Sequence, residues 1–249
     1  MDFKEWQQWG KRPQDSERHN VLRLTGDLPD MECTKQLVKI ISGIYEPGMD
    51  ILDVGCNVGH YLKGIRKKFP DTKYEGVDAY AHYVATAKEH FKNDSNVTFE
   101  IKDIFNPIFP NSPFDIVYCC NVIQHLPDFR IPITNLLSST KKCCIIRTLL
   151  ADYTNIVKTT MSDSFDDDGN PLDFWYLNTW SKKYFSKFIN DLGWNVEFID
   201  DEFDPNQIQK EYETIKNTES DVSTRIVGEM QIVEGVVENW LWVKITPKN

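Results

Sequence analysis

The residues with the most chemistry to offer fall in one short stretch, Ile51-Leu52-Asp53-Val54-Gly55-Cys56-Asn57-Val58-Gly59-His60. An apolar run ends in an acid, and two glycines follow. Glycine lets the backbone approach a ligand closely and turn where other residues cannot. A strand-to-helix turn also presents unpaired amide groups. A dinucleotide site prefers Gly-x-Gly-x-x-Gly, which seats a diphosphate on the helix N-terminus. Here Asp53 precedes Gly55 by two positions, and its carboxylate would repel a diphosphate. It would attract a ligand carrying ammonium and sulfonium groups. The loop therefore suits a cationic nucleoside better than NAD.

Other clusters are less promising. Asp166-Asp167-Asp168-Gly169 echoes a calcium loop, but the position of the closing glutamate is held by Trp175, so a solvated turn is expected. The six cysteines form no Cys-x-x-Cys pair. Cys119-Cys120 and Cys143-Cys144 fall in apolar runs that read as buried strands, so zinc is not expected. Buried free thiols in a reducing compartment are the simpler account. No metal site is expected.

The elements that must position the glycine loop are legible as an alternation. Asp50–Val54, Tyr74–Asp78, Val97–Ile101, Phe114–Cys120 and Cys143–Leu150 read as strands. Between them, Tyr61, Leu62, Ile65 and Phe69 mark one helix face, Tyr80, Tyr83, Val84, Ala87 and Phe91 a second, and Phe129, Ile133, Leu136 and Leu137 a third. An earlier helix from about Asp30 carries Leu37, Ile40, Ile41 and Ile44 and stops at Pro47-Gly48. Apolar strands separated by amphipathic helices mean a parallel sheet covered on both faces. Ligands of such sheets bind beyond the carboxyl ends of the strands, near the switch in strand order.

After Leu150 the alternation breaks, with the acidic turn and then Phe174-Trp175-Tyr176. It resumes with a helix from about Ser181, carrying Tyr184, Phe185, Phe188, Ile189 and Leu192, capped by Gly193. Trp194–Ile199 reads as a strand, and Ile226–Val233 and Trp240–Ile245 read as strands closing the sheet antiparallel. Residues 204–224 look like a polar excursion with a helix around Ile208, Tyr212 and Ile215.

The glycine loop resembles the first motif of class I S-adenosylmethionine-dependent methyltransferases, an acid followed by Gly-x-Gly-x-Gly. The match covers Asp53, Gly55 and Gly59 and departs at Asn57. Asparagine tolerates positive φ better than most residues. The resemblance runs from about Asp50 to Leu150. It implies a Rossmann-like α/β fold: a three-layer sandwich with a mostly parallel seven-stranded sheet, an antiparallel final strand and helices on both faces. It implies S-adenosyl-L-methionine as cofactor, held by Asp53, Gly55, Cys56, Asn57 and Gly59. Asp78 would bind the ribose hydroxyls, and Ala79 and Tyr80 would lie along the adenine. Asp103 would meet the adenine amino group with help from the amide of Ile104. Asn121 would face the methionine part. His125, in the His-Leu-Pro-Asp turn after the fourth strand, would stand near the transferring methyl, where a neutral imidazole can take a proton from an acceptor hydroxyl. Packing or capping is the alternative for this histidine. Trp175 and Tyr176 are candidates for an acceptor wall or for core.

Composition narrows the partners. The net charge of −10 disfavours a nucleic-acid substrate, which usually demands a basic face. The basic cluster Lys63, Arg66, Lys67 and Lys68 reads as a solvated helix face. No apolar stretch reaches the ~20 residues of a membrane span, and the first residues do not read as a signal peptide, so a cytoplasmic protein is expected. Residues 1–29, polar and irregular but bearing Trp6 and Trp9, are expected to form an arm or lid. Residues 30–249 are expected to form one domain, with insertions near 151–179 and 204–235. The expected activity is methyl transfer to a hydroxyl or amine of a small molecule. A non-catalytic module of the same fold, or a related nucleoside-dependent transferase, are the alternatives.

Overall fold

The computed structural model describes residues 14–160, 165–172, 174–202, 224–227, 230–233 and 236–248. Trp6, Trp9 and the helix expected around Ile208, Tyr212 and Ile215 lie outside them.

Two helices, α1 (Gln14–Thr25) and α2 (Glu32–Ser42), precede the sheet. The alternation follows: β1 (Asp50–Val54), α3 (His60–Lys68), β2 (Lys73–Asp78), α4 (Ala81–His90), β3 (Val97–Ile101), β4 (Phe114–Cys120), a short 3-10 turn at Ile123–His125, α5 (Arg130–Ser138) and β5 (Thr140–Ala151). Next come β6 (Lys158–Thr160), β7 (Phe174–Tyr176), β8 (Trp180–Ser181), α6 (Lys182–Asp191) and β9 (Trp194–Asp200). Four strands remain: β10 (Thr224–Val227), β11 (Met230–Val233), β12 (Val236–Val237) and β13 (Trp240–Pro247).

The main sheet runs β3-β2-β1-β4-β5-β13-β9, with β8 added beside the end of β5. The pairs β1–β2, β2–β3, β1–β4 and β4–β5 are parallel. β13 is antiparallel to both its neighbours, β5 and β9. This is the expected Rossmann-like α/β sandwich. Its strand order reverses at β1, which pairs with β2 on one side and β4 on the other.

Alternation along the strands builds two cores. Leu52, Val54, Val117, Cys119, Cys144 and Ile146 face α5 and α6 through Phe129, Ile133, Leu136, Phe185 and Ile189. Ile51, Tyr74, Ile116, Tyr118, Cys143 and Ile145 face the opposite layer through Leu37, Ile41, Leu62, Ile65 and Val84. Five of the six cysteines are buried, and all six are free.

Three regions differ from the sequence expectation. Gln14–Thr25 is a helix, not irregular chain. Its residues are mostly polar, yet Leu24 and Val21 pack with Val58 and Tyr83. Residues 226–233 are not one strand of the main sheet. The chain reverses between Val227 and Met230, and β10, β11 and β12 form a separate antiparallel sheet. The aromatic run 174–176 is β7, paired antiparallel with β6. Among the described residues no helix is long and apolar enough to cross a membrane.

Candidate functional site

A cavity of about 330 Å³ opens at the carboxyl ends of β1, β2 and β4, where the strand order reverses. Its first side is the glycine loop. Gly55 and Gly59 both have φ of +79°, and Asn57 has φ of +50°. A Cβ on Gly55 would meet Val122 Cγ2 at 2.3 Å, so the close approach of the loop after β4 requires glycine. The amides of Gly55 and Cys56 donate to the Val77 carbonyl at 2.8 and 3.0 Å, tying the loop to β2. Asn57, the departure from the glycine pattern, uses its amide to donate to Asp78 Oδ2 at 2.8 Å.

Asp78 ends β2 and lines the cavity with Ala79 and Tyr80. Its second oxygen accepts from the Tyr80 amide at 3.0 Å. Burial raises its pKa above the ordinary carboxylate value, against the lowering effect of the Tyr80 and Asn57 amides. Each carboxylate oxygen keeps acceptor capacity beyond its one backbone partner.

Asp53 is placed otherwise. It is 1% exposed and is not among the lining residues. The register sets it beside Gly76 and Tyr118, and its Oδ2 accepts from the hydroxyls of Tyr74 at 2.7 Å and Tyr118 at 2.8 Å. Burial pushes its pKa up to about 7, against the two tyrosine hydrogen bonds. Asp53 thus braces the strands behind the loop and makes no direct contact with the cavity, a correction to the charge argument from sequence. Cys56 is buried beneath the loop against Gly76, and Gly59 precedes α3 against Phe91 and Phe99. Neither lines the cavity. Nor does Asp103, whose Oδ1 accepts from the Phe105 amide at 2.8 Å; its neighbours Lys102 and Ile104 do.

The second side comes from the loop after β4. Asn121 lines the cavity with φ of +60°. His125 also lines it, and its Nδ1 lies 2.8 Å from the Tyr176 carbonyl. A carbonyl only accepts, so Nδ1 carries the proton and the basic lone pair of the neutral ring is on Nε2. The Trp175 ring lies 5.9 Å from the His125 ring. Trp175 and Tyr176 are themselves buried and do not line the cavity. They stand behind His125.

Several lining residues were not singled out from sequence: Asn20, Met31, His60, Tyr61, Gln124 and Trp240. Asn20 of α1 reaches Asn57 Oδ1 at 3.3 Å. His60 follows Gly59 directly, which was a usable signal. Burial, with the nearby Arg23 charge, lowers its pKa to about 3, so it is neutral near pH 7. The acidic turn is exposed and folds on itself, Asp166 Oδ1 accepting from the amides of Asp168 and Asn170 at 3.0 and 2.8 Å.

Residues 51–142 match the family model described as a methyltransferase domain. A phosphoethanolamine N-methyltransferase of Arabidopsis thaliana is 30% identical over 99 residues, 39% of this chain and 20% of that relative. A 2-methyl-6-phytyl-1,4-hydroquinone methyltransferase of Synechocystis is 27% identical over 158 residues, 61% of this chain and 46% of the relative. The chain thus spans a fifth to a half of the length of these relatives. In structure, an S-adenosylmethionine-dependent methyltransferase of Clostridium acetobutylicum superposes with a TM-score of 0.57 at 14% identity, covering 94% of this chain and 99% of the other. A magnesium protoporphyrin IX methyltransferase of Synechocystis, solved with the demethylated cofactor product S-adenosylhomocysteine (SAH), gives 0.56 at 13% identity, covering 94% and 95%. Residues 51–142 thus resemble a methyltransferase domain, and the fold of the chain is that of S-adenosylmethionine-dependent methyltransferases.

Proposed function

We propose that this chain transfers a methyl group from S-adenosyl-L-methionine to a hydroxyl or amine of a small molecule. One observation carries the reading. The glycine loop, the Asp78 carboxylate, the Asn121 carboxamide and a histidine of fixed tautomer all converge on a single cavity at the switch in strand order.

The residues fit the cofactor. Asp78 has acceptor capacity for ribose hydroxyls, and Ala79, Tyr80 and Ile104 offer an apolar bed for the adenine. Asp103 shapes the turn that presents Ile104. Asn57, Gly55 and Asn121 border the space for the methionine part. When bound, the cofactor supplies a methyl group already activated on a sulfonium sulfur. What the chain adds is alignment and proton management. His125 Nε2 accepts the proton that an acceptor hydroxyl must lose, while the Tyr176 carbonyl holds Nδ1–H and favours the imidazolium that results.

Residues 1–29 act in this reading as a cover, since α1 reaches the loop through Asn20. Residues 30–249 form one domain, whose insertions near 151–179 and 204–235 choose the acceptor. The acceptors in the relatives' names differ, so none is carried over. The charge of −10 argues against nucleic acid, and six free cysteines support a reducing compartment such as the cytoplasm.

Calorimetry tests the cofactor. Dissociation constants on the order of micromolar are expected for S-adenosylmethionine and for SAH, with no NAD binding. Binding of NAD and of neither methionine nucleoside would overturn the reading. A labelled methyl donor offered with hydroxyl and amine acceptors then tests the transfer.

A further inference from the structure

Arg147 sits within β5 with 6% exposure. Its Nε and Nη2 donate to the two oxygens of Asp201 at 2.7 and 2.8 Å. Its Nη1 donates to Asn121 Oδ1 at 2.6 Å. Its guanidinium carbon lies 4.1 Å from the centre of the Trp240 ring. Arg147 is not among the lining residues of the cavity, but Asn121 and Trp240 both are. One buried cation therefore holds two separate pieces of the wall.

A guanidinium has only donors, so the Asn121 atom that faces it must be the oxygen. That settles the carboxamide's orientation. The NH2 group lies on the other side, 3.4 Å from the Tyr61 hydroxyl, which also borders the cavity. The Asn121 amide donates to the Arg147 carbonyl at 3.0 Å, so the residue is fixed at both backbone and side chain. Asp201 is the counterion that lets the guanidinium stay buried, because an unpaired charge there would be strongly destabilising.

We propose that Arg147, held by Asp201, is a positioning residue that turns Asn121 so that the site offers a hydrogen-bond donor, not an acceptor, to the carboxylate of the cofactor's methionine end. This rests on the cofactor reading above. It makes Arg147 a determinant of which nucleosides bind, although it lies outside the cavity lining.

The test compares SAH with 5′-methylthioadenosine, which lacks the amino-acid end, both by calorimetry. Arg147→Gln is expected to weaken SAH about tenfold, the size of one lost charge-assisted hydrogen bond, and to leave methylthioadenosine unchanged. Asn121→Asp keeps the contact with Arg147 but removes the donor. It is expected to hold its melting temperature while losing SAH affinity about tenfold or more. In the double variant Arg147→Gln/Asn121→Ala, the SAH loss should match that of Asn121→Ala alone. Equal losses for both nucleosides, multiplying losses in the double variant, or an Asn121→Asp protein that binds SAH like wild type would each overturn the proposal. If Arg147→Gln does not fold, Asn121→Asp decides. If the wild type binds no SAH, the cofactor reading fails. The orientation is then read from the Asn121 side-chain amide resonances, which must shift in Asp201→Asn and stay put in Lys67→Gln, or the positioning claim fails as well.

Discussion

The two sides of the cavity are built in different ways. The first side, Gly55 to Gly59 with Asp78 to Tyr80, is held by backbone amides, positive-φ residues and one carboxylate. Its parts belong to consecutive elements around β1 and β2. The second side, Asn121 and His125, is held by side chains, and each is anchored by a residue distant in sequence. Asn121 depends on Arg147 and, behind it, Asp201; His125 depends on the carbonyl of Tyr176. In the proposed reading the first side grips the ribose and adenine of the cofactor by local backbone geometry, while the second meets its methionine end through Asn121 and the acceptor through His125, side chains whose supports can change independently.

This contrast breaks most sharply in rate. His125→Ala should lower kcat by about 100- to 10,000-fold, the usual contribution of a general base, while SAH affinity stays within about twofold. Single-turnover transfer by the folded variant is the measurement, and a rate within about threefold of wild type would remove the histidine from the mechanism.

A second prediction separates Asp53 from Asp78. Asp53 has a folded pKa of about 7, above its unfolded value, so its contribution to stability is full below about pH 4 and is lost as pH rises towards 7. His60, with a folded pKa of about 3, works in the opposite sense: its contribution is present above about pH 6.5 and lost as pH falls. In the window they share the two slopes oppose each other. Relative to wild type, Asp53→Asn should gain about 1.4 kcal/mol per pH unit from pH 4 to 7. Denaturant melts across that range read the difference directly, and a pH-independent offset would refute the burial of a titrating Asp53. Cofactor affinity should hardly change.

Asp78→Ala should cost SAH binding about 2 kcal/mol, roughly thirtyfold, because a charged acceptor is removed from the cavity and from two amides. Calorimetry with unchanged affinity and intact folding would put the ribose elsewhere. The smallest effect belongs to Tyr176→Phe. The carbonyl that holds His125 is untouched, so turnover and acceptor KM should stay within about twofold. A large rise in KM alone would return this side chain to the acceptor wall.

The first side was legible in sequence and the second only in part, for the same structural reason. Asp50–Val54, Val97–Ile101 and Phe114–Cys120 are strands with the same bounds in sequence and in structure. Their punctuation, glycines and acids at the strand ends, is local. Asn121 and His125 were found because they follow β4 directly. Arg147 interrupts the apolar run Cys143–Leu150, and nothing in the spacing links it to Asp201. Asp53 misled because its type suggests a charge for the ligand, whereas its pairing with Tyr74 and Tyr118 comes from strands far apart in the chain. The α1 helix is hard to read from sequence because its apolar residues, Val21, Leu22 and Leu24, are confined to its C-terminal end.

The antiparallel β13 has a consequence for the order of assembly. It fills the gap between β5 and β9, and it brings Trp240 to the cavity. About 90 residues separate the end of β5 from its start. At ~5 to 20 residues per second, a ribosome needs roughly 5 to 20 seconds to make them. Through that interval the apolar β5, bearing Ile145, Ile146 and Leu149, has an open edge of the kind that recruits foreign strands. The binding cavity is thus one of the last features to form, and the nascent chain is most exposed to misassembly just before it does.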